Sequence, residues 1–246
     1  MDHKEQYQSY LAQAMSALEH ACAHFLPEKS EVCRAARYSL MGGGKRIRAV
    51  LVLSVCDMLG GNMQAAEQFA AAVEMLHCYS LIHDDLPCMD NDDLRRGRPS
   101  CHKAFDEATA MLAGDVLLTE AFEAIANAPA DADVCVRAAA ALSAGAGSRG
   151  MVYGQELDLK YEALAATEEQ LRLIHRNKTG ALINARFRWV LLLQGQMTLS
   201  AGRWSTMLTV WGWFFRSWTM YWMLPVLRNS WASPSAATAR MARLLS

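Results

Sequence analysis

From His83 to Gly97 the sequence H-D-D-L-P-C-M-D-N-D-D-L-R-R-G gathers five carboxylates and two guanidinium groups into one short segment. Neighbouring carboxylates raise each other's pKa unless a cation neutralises them, and an all-oxygen donor set suits a hard ion such as Mg²⁺. On an unbroken helix Asp84 and Asp90 would diverge by about 120°, six residues at 3.6 per turn, and could not share an ion. Pro87 breaks the helix between them and lets the chain swing Asp90 back. Taken alone, the segment reads more readily as an acidic helix end followed by a solvated loop.

Four other features answer it. Gly42-Gly43-Gly44-Lys45-Arg46-Ile47-Arg48 joins bare backbone N–H groups, the start of a helix and three cations, an arrangement that holds phosphate. By itself it is equally a solvated basic turn. His77, Ser80 and Asp84 recur at i, i+3 and i+7 and so share one helical face, although an isolated histidine there is more often a core residue. Lys178-Thr179 closes a helical stretch that carries His175 and Arg176, and Gly150 to Asp158 (G-M-V-Y-G-Q-E-L-D) sets Gln155 and Asp158 on one face. Each of the last two alone would pass for surface decoration.

The elements that must position these residues are helices. Apolar residues at Tyr10, Leu11, Met15, Leu18, Cys22, Phe25 and Leu26 predict an amphipathic helix over 5–26, stopped by Pro27. The glycine run opens a second at Lys45 that ends on Gly60–Gly61, and a third, Ala-rich, covers Met63 to Leu86 before Pro87. Further helical patterns occupy about 103–127, 134–158 and 167–186, and strand-type alternation is scarce, so the fold class is all-α, a bundle of long helices. With 52% apolar residues in 246, the chain supports a sizeable core, and 24 Lys plus Arg against 25 Asp plus Glu do not mark a nucleic-acid binder. Seven scattered cysteines without a C-x-x-C pair argue against a disulfide framework or a zinc site. The polar N-terminus carries no run of the signal-peptide kind, and a reduced cytoplasmic setting is expected.

Together the motifs resemble the trans-prenyltransferase (polyprenyl synthetase) family, and within it the bacterial farnesyl diphosphate synthases. G-G-K-R-x-R, H-x-Y-S-L-I-H-D-D-x4-D-x-D-D-L-R-R-G, A-G-D (Ala113 to Asp115), G-x4-G-Q-x-x-D (Gly150 to Asp158) and H-x-x-K-T-G (His175 to Gly180) occur in family order over residues 1–186. The resemblance implies mostly antiparallel helices around a central cavity and head-to-tail condensation of isopentenyl diphosphate with dimethylallyl or geranyl diphosphate. It implies Mg²⁺ held by Asp84, Asp85 and Asp90, with Arg95 and Lys178 on the allylic diphosphate. Lys45, Arg48, His77 and Arg96 would hold isopentenyl diphosphate, and Thr179 and Gln155 would line the cation site. Tyr79, about 7 Å down the helix axis from Asp84, would floor the pocket and favour a C15 product, or is simply a core tyrosine. A homodimer, no membrane insertion and no nucleic-acid partner go with this reading. Asn91 stands where relatives often have a further Asp, outside the three acids assigned to the ion.

One departure is large. The family needs a second Asp-rich motif, D-D-x-x-D, and this chain has no Asp after Asp158. Composition changes abruptly near Phe187: residues 1–185 hold all 25 acidic residues, whereas 186–246 hold seven Arg, no Lys and all seven Trp. Residues 187–246 therefore form an aberrant tail behind a prenyltransferase domain at 1–186. A membrane span fits poorly, because Arg216 interrupts the best window. The genetic code offers another account. Taking the last base of each codon with the first two of the next, Gly212 to Met223 can read L-V-F-Q-V-V-D-D-V-L-D, the missing motif; Trp218-Thr219 must give Asp and Trp222-Met223 must give Asp. A frameshift between about Ala185 and Trp189 is the expectation, with the chain as written impaired or inactive. The alternative is a non-catalytic partner subunit or pseudoenzyme of the family; a terpene cyclase would not need the G-G-K-R cradle.

Overall fold

The computed structural model describes residues 3–58, 60–162 and 167–180, which fall into two units with described parts 3–143 and 144–180. In the first, α1 (His3–Phe25), α2 (Glu31–Leu40), α3 (Ile47–Met58) and α4 (Met63–Asp84) precede a hairpin of β1 (Leu94–Arg95) and β2 (Arg98–Pro99). The short α5 (Cys101–Ala104), then α6 (Glu107–Ala126) and most of α7 (Ala132–Ala146) follow. The second unit holds α8 (Met151–Glu162), α9 (Glu168–His175) and a π-helical turn at Arg176–Gly180. The all-α class read from the sequence is what the chain adopts.

Helix α4 is the centre of the first unit. Its buried residues, among them Ala65, Phe69, Ala72, Val73, Met75, Leu76 and Ile82, run around its circumference rather than along one stripe, as they must on a helix covered on several sides. It packs against α6, α3, α1 and α2. The side chain of Asn62 caps it by accepting from the Ala65 amide at 3.2 Å, and it ends just before Pro87. All seven cysteines are free thiols, and all but Cys88 are buried.

The structure departs from the sequence reading in three local ways. Helix α2 falls where none is expected: it is only ten residues long, and its residues segregate into a buried face (Cys33, Ala35, Ala36, Leu40) and a polar one with Arg34 and Arg37, a helical pattern that the sequence reading passed over. Arg37 reaches back to the carbonyls of Leu26 (2.6 Å) and Cys22 (2.7 Å), satisfying the end of α1. The pattern over 103–127 is interrupted at Phe105, after which Asp106 starts α6 by accepting from the Thr109 amide at 2.9 Å. The pattern over 134–158 divides into α7 and α8. Among the described residues no helix is long and apolar enough to cross a membrane. The boundary expected near residue 186 and the tail behind it lie outside the described residues.

Candidate active site

Two carboxylates, Asp84 and Asp85, sit at the C-terminal end of α4, where the helix dipole is negative and an anion is disfavoured. Cations must offset that placement, and Arg95 is the first. Its Nε donates to Asp85 Oδ1 at 2.9 Å and Oδ2 at 3.1 Å, its Nη2 to Asp85 Oδ1, and Asp92 lies 3.5 Å away. Burial pushes the Asp85 carboxyl up, and Arg95 opposes that rise. Beyond Pro87 the chain turns back: the Asp90 amide donates to the Asp84 carbonyl at 2.8 Å, and the amide of Asn91, at φ 51°, donates to the Leu86 carbonyl at 3.1 Å. The reversal expected from Pro87 is therefore present. Asp84 and Asp90 are half-buried and adjacent in backbone, while Asp85 is held by Arg95.

These oxygens suit a divalent cation. Among the described residues no three Asp, Glu, His or Cys side chains converge on one point. Mg²⁺ does not ask for such a cage; one or two carboxylates hold it, and waters and substrate phosphates complete the octahedron.

The hairpin splits the arginine pair between two neighbourhoods. Arg96 (φ 55°) and Gly97 (φ 78°) form its two-residue turn, with Arg95 paired to Arg98 across the ribbon. Arg95 thereby serves the acidic helix end, and Arg96 Nη1 donates to the carbonyl of Gly43 in the glycine loop. Gly44, at φ 113°, has the Arg96 guanidinium 2.7 Å from where a Cβ would stand, so another residue there would strain the backbone and push the guanidinium aside. Tyr38 of α2 steadies the ribbon: its hydroxyl donates to the Pro99 carbonyl at 2.9 Å, and Arg98 lies 4.3 Å from its ring centroid.

Lys45 is exposed and its carbonyl accepts from the Tyr7 hydroxyl at 2.7 Å. Arg48 is half-buried, its Nε buried without a partner, and burial lowers its pKa while Glu74 opposes that. His77 is half-buried on α4, and its carbonyl accepts from the Ser80 hydroxyl at 2.8 Å. Tyr79 is 8% exposed, and its ring meets His83 edge-on at 5.6 Å. His83 Nε2 donates to the Met111 carbonyl of α6 at 2.9 Å, tying this face of α4 to α6.

In the second unit, α8 carries Gln155, half-buried, and Asp158. Lys178 Nζ donates to Asp158 Oδ2 at 2.5 Å, so these two residues from separate motifs are partners. A Cβ at Gly154 would collide with the backbone of Lys178; the missing side chain is what lets the π-helical turn lie on α8. The side chain of Thr179 lies outside the described residues.

A family model for polyprenyl synthetases matches residues 29–217. The chain belongs to the polyprenyl synthetase family. It is 54% identical over 159 residues to the farnesyl diphosphate synthase of Micrococcus luteus, covering 65% of this chain and 55% of that one. It is 50% identical over 155 residues to the farnesyl diphosphate synthase of Haemophilus influenzae (63% and 52%). The chain thus spans about half the length of these curated relatives. The crystal structure of geranyltransferase from Legionella pneumophila superposes with a TM-score of 0.78 at 43% identity, covering 85% of this chain and 73% of that chain.

In this polyprenyl synthetase chain, the sequence reading counts Arg46 among the three cations of a phosphate-holding turn and passes over Glu74, but the structure turns Arg46 inward. Arg46, only 4% exposed, pairs with Glu74, 3% exposed, at 3.4 Å. Glu74 stands in an Ala-rich helix, and Arg46 looks like one more cation in a basic run. A charged residue amid the apolar face of α4 was the available signal.

Proposed function

We propose that the chain carries head-to-tail prenyl transfer, joining isopentenyl diphosphate to dimethylallyl or geranyl diphosphate to give farnesyl diphosphate, in the cytoplasm and as a homodimer in its intact form. One observation carries the reading: adjacent residues of one hairpin, Arg95 and Arg96, reach an acidic helix end and a glycine-rich basic loop. Two anion-handling neighbourhoods one residue apart are what a reaction between two diphosphates requires. A single-substrate cyclase has no use for the second. The first-motif acids and the loop cations are all present, which does not favour a non-catalytic subunit.

In the reaction the allylic C–O bond ionises, the isopentenyl alkene attacks the resulting cation, and a proton is lost to diphosphate. Mg²⁺, when bound, neutralises the leaving diphosphate as a Lewis acid. Asp84, Asp85 and Asp90 would hold it, with Asp85 also fixing Arg95 against the allylic diphosphate. Lys45, Arg48, Arg96 and His77 would bind isopentenyl diphosphate, and Tyr79 would limit chain growth to C15. The family pattern also assigns Lys178 to the allylic diphosphate, and Thr179 and Gln155 to the lining of the cation site. Pre-placed cations at the site of developing negative charge are the main source of acceleration here.

The reading includes the frameshift: 1–186 as the prenyltransferase part and 187–246 as an out-of-frame tail. Sequencing the locus across codons 180–225 tests that directly. Assays of the 246-residue chain and a frame-corrected version with Mg²⁺ and both substrates test the rest. The corrected enzyme is expected to make labelled C15 product and the chain as written little or none. Main products of C20 or longer would overturn the role of Tyr79. Equal turnover by the two chains would overturn the frameshift and the need for a second Asp-rich motif.

A further inference from the structure

The loop before α3 is held in a conformation that its residues would not choose. Gly43 (φ 90°) and Gly44 (φ 113°) are followed by Arg46 at φ 46°, a left-handed position for a residue with a long side chain. Such backbone persists only where surrounding contacts over-determine it. Here the contacts converge on Arg46, whose guanidinium is turned into the protein rather than toward solvent. It donates to the Leu40 carbonyl at the end of α2 and to Glu74 Oε2. The other oxygen of that carboxylate, Oε1, accepts from the Ala49 amide in the first turn of α3 at 3.3 Å. Glu74 therefore grips the loop at Arg46 and the first turn of α3 at Ala49 from the centre of α4. The charge of Glu74 is also felt by Arg48 and Arg96.

We infer that Glu74 is the positioning residue of the anion cradle. Through Arg46 and the Ala49 amide it holds the loop in the geometry that presents Lys45, Arg48 and Arg96 to the diphosphate of the non-allylic substrate. The inference rests on the reading that these three cations hold a diphosphate. The role is distinct from theirs, because Glu74 is an anion and cannot itself attract one. It neutralises Arg46, leaving the other cations to face the ligand, and its two oxygens set where they stand. The pairing also explains why a basic run contributes one cation inward and its neighbours to the cradle.

The sign of the effect separates positioning from a simple charge effect. If Glu74 acted only through its field, Glu74→Gln would remove a negative charge and tighten anion binding, and Arg46→Gln would weaken it. If it positions the loop, each single variant leaves a buried charge without its partner and both weaken binding. The double variant Arg46→Gln/Glu74→Gln can rebuild the contacts with neutral amides and recovers affinity. Glu74→Asp keeps the charge but is one methylene too short to reach both partners, so it too weakens binding with the field unchanged.

The experiment is calorimetric titration of the 246-residue chain with inorganic diphosphate in chelator, with thermal melting of every variant. Lys45→Ala serves as the reference for the site. Expected are at least about tenfold weaker binding for Glu74→Gln, Arg46→Gln and Glu74→Asp, and recovery to within about threefold in the double variant. Should a single glutamine variant fail to fold, Glu74→Asp and the double variant decide. Diphosphate affinity within twofold of the parent in folded Glu74→Asp, or tighter binding by Glu74→Gln, overturns the positioning role while Lys45→Ala still weakens binding. If the parent chain does not bind diphosphate, or Lys45→Ala changes nothing, the cradle reading itself fails and the inference fails with it.

Discussion

The amide of Asp90 donates a 2.8 Å hydrogen bond to the carbonyl of Asp84, across the turn made by Leu86 and Pro87. This bond returns the chain to the end of α4 and brings the third acid of the motif back beside the first. A helix continuing past Asp85 would have carried Asp90 to another face. The bond is made by backbone, so either side chain can be replaced without removing the turn.

Replacing one of these acids should therefore remove chemistry and leave structure. In the frame-corrected enzyme, Asp84→Ala is expected to lower turnover at least about 100-fold, through lost stabilisation of the leaving group. Lys45→Ala should instead mainly raise the KM for isopentenyl diphosphate. Steady-state kinetics with each substrate varied in turn distinguishes them, and equal effects on both substrates' KM would contradict the assigned roles.

Arg95→Ala should show its cost through pH. Burial already raises the Asp85 carboxyl above its ordinary value, with Arg95 opposing the rise. An acid with a raised folded pKa binds more protons folded than unfolded, so its ionisation erodes stability as pH rises. Removing Arg95 raises Asp85 further. The melting-temperature deficit of Arg95→Ala is expected to be small near the unfolded carboxylate pKa and to grow as pH rises. The loss at neutral pH should be about 1–3 kcal/mol, since Arg95 is partly exposed. A deficit that shrinks with rising pH would refute the pairing.

Gly44→Ala tests the contact between loop and hairpin. The new methyl would collide with the Arg96 guanidinium at 2.7 Å on a backbone at φ 113°. A loss of about 1–3 kcal/mol is expected by denaturant unfolding, together with weaker binding of inorganic diphosphate. Unchanged stability and affinity would show that the loop relaxes freely around Arg96.

Glu120 on α6 offers a pH test away from these clusters. Burial, a hydrogen bond that its protonated carboxyl donates to Glu123, and the charge of Glu123 push it up to about 7. Stability should accordingly fall as pH rises from about 4.5 to about 7, because the folded state binds the extra proton. Glu120→Gln, which cannot ionise, should melt above the parent at pH 8 and level with it near pH 4.5. A difference independent of pH would show that Glu120 titrates normally.

Much of the site was legible because its signals are local. Pro27 and Pro87 end helices wherever they stand, the glycine run opens α3, and the acid and arginine types at fixed spacing name an ion and diphosphates. His77 and Asp84 share a face by helical geometry alone. Helix α2 was legible too, since its apolar and polar residues segregate onto two faces, but at ten residues it is a short element that was passed over until its packing against α6, α4 and α5 made it plain.

What the sequence determined by itself is which side chains the chain carries and where the helices bounded by Pro27, Gly60 and Pro87 stop, since proline and glycine act within a few residues. Which cation meets which anion was decided by tertiary structure. Asp85 takes Arg95, Lys178 takes Asp158, Arg46 turns inward to Glu74, and neighbouring arginines part at a hairpin turn. Each pair but the adjacent arginines is ten or more residues apart. A charge has no preferred partner along the chain; burial removes water as a competitor and leaves only those partners that helix packing brings within reach.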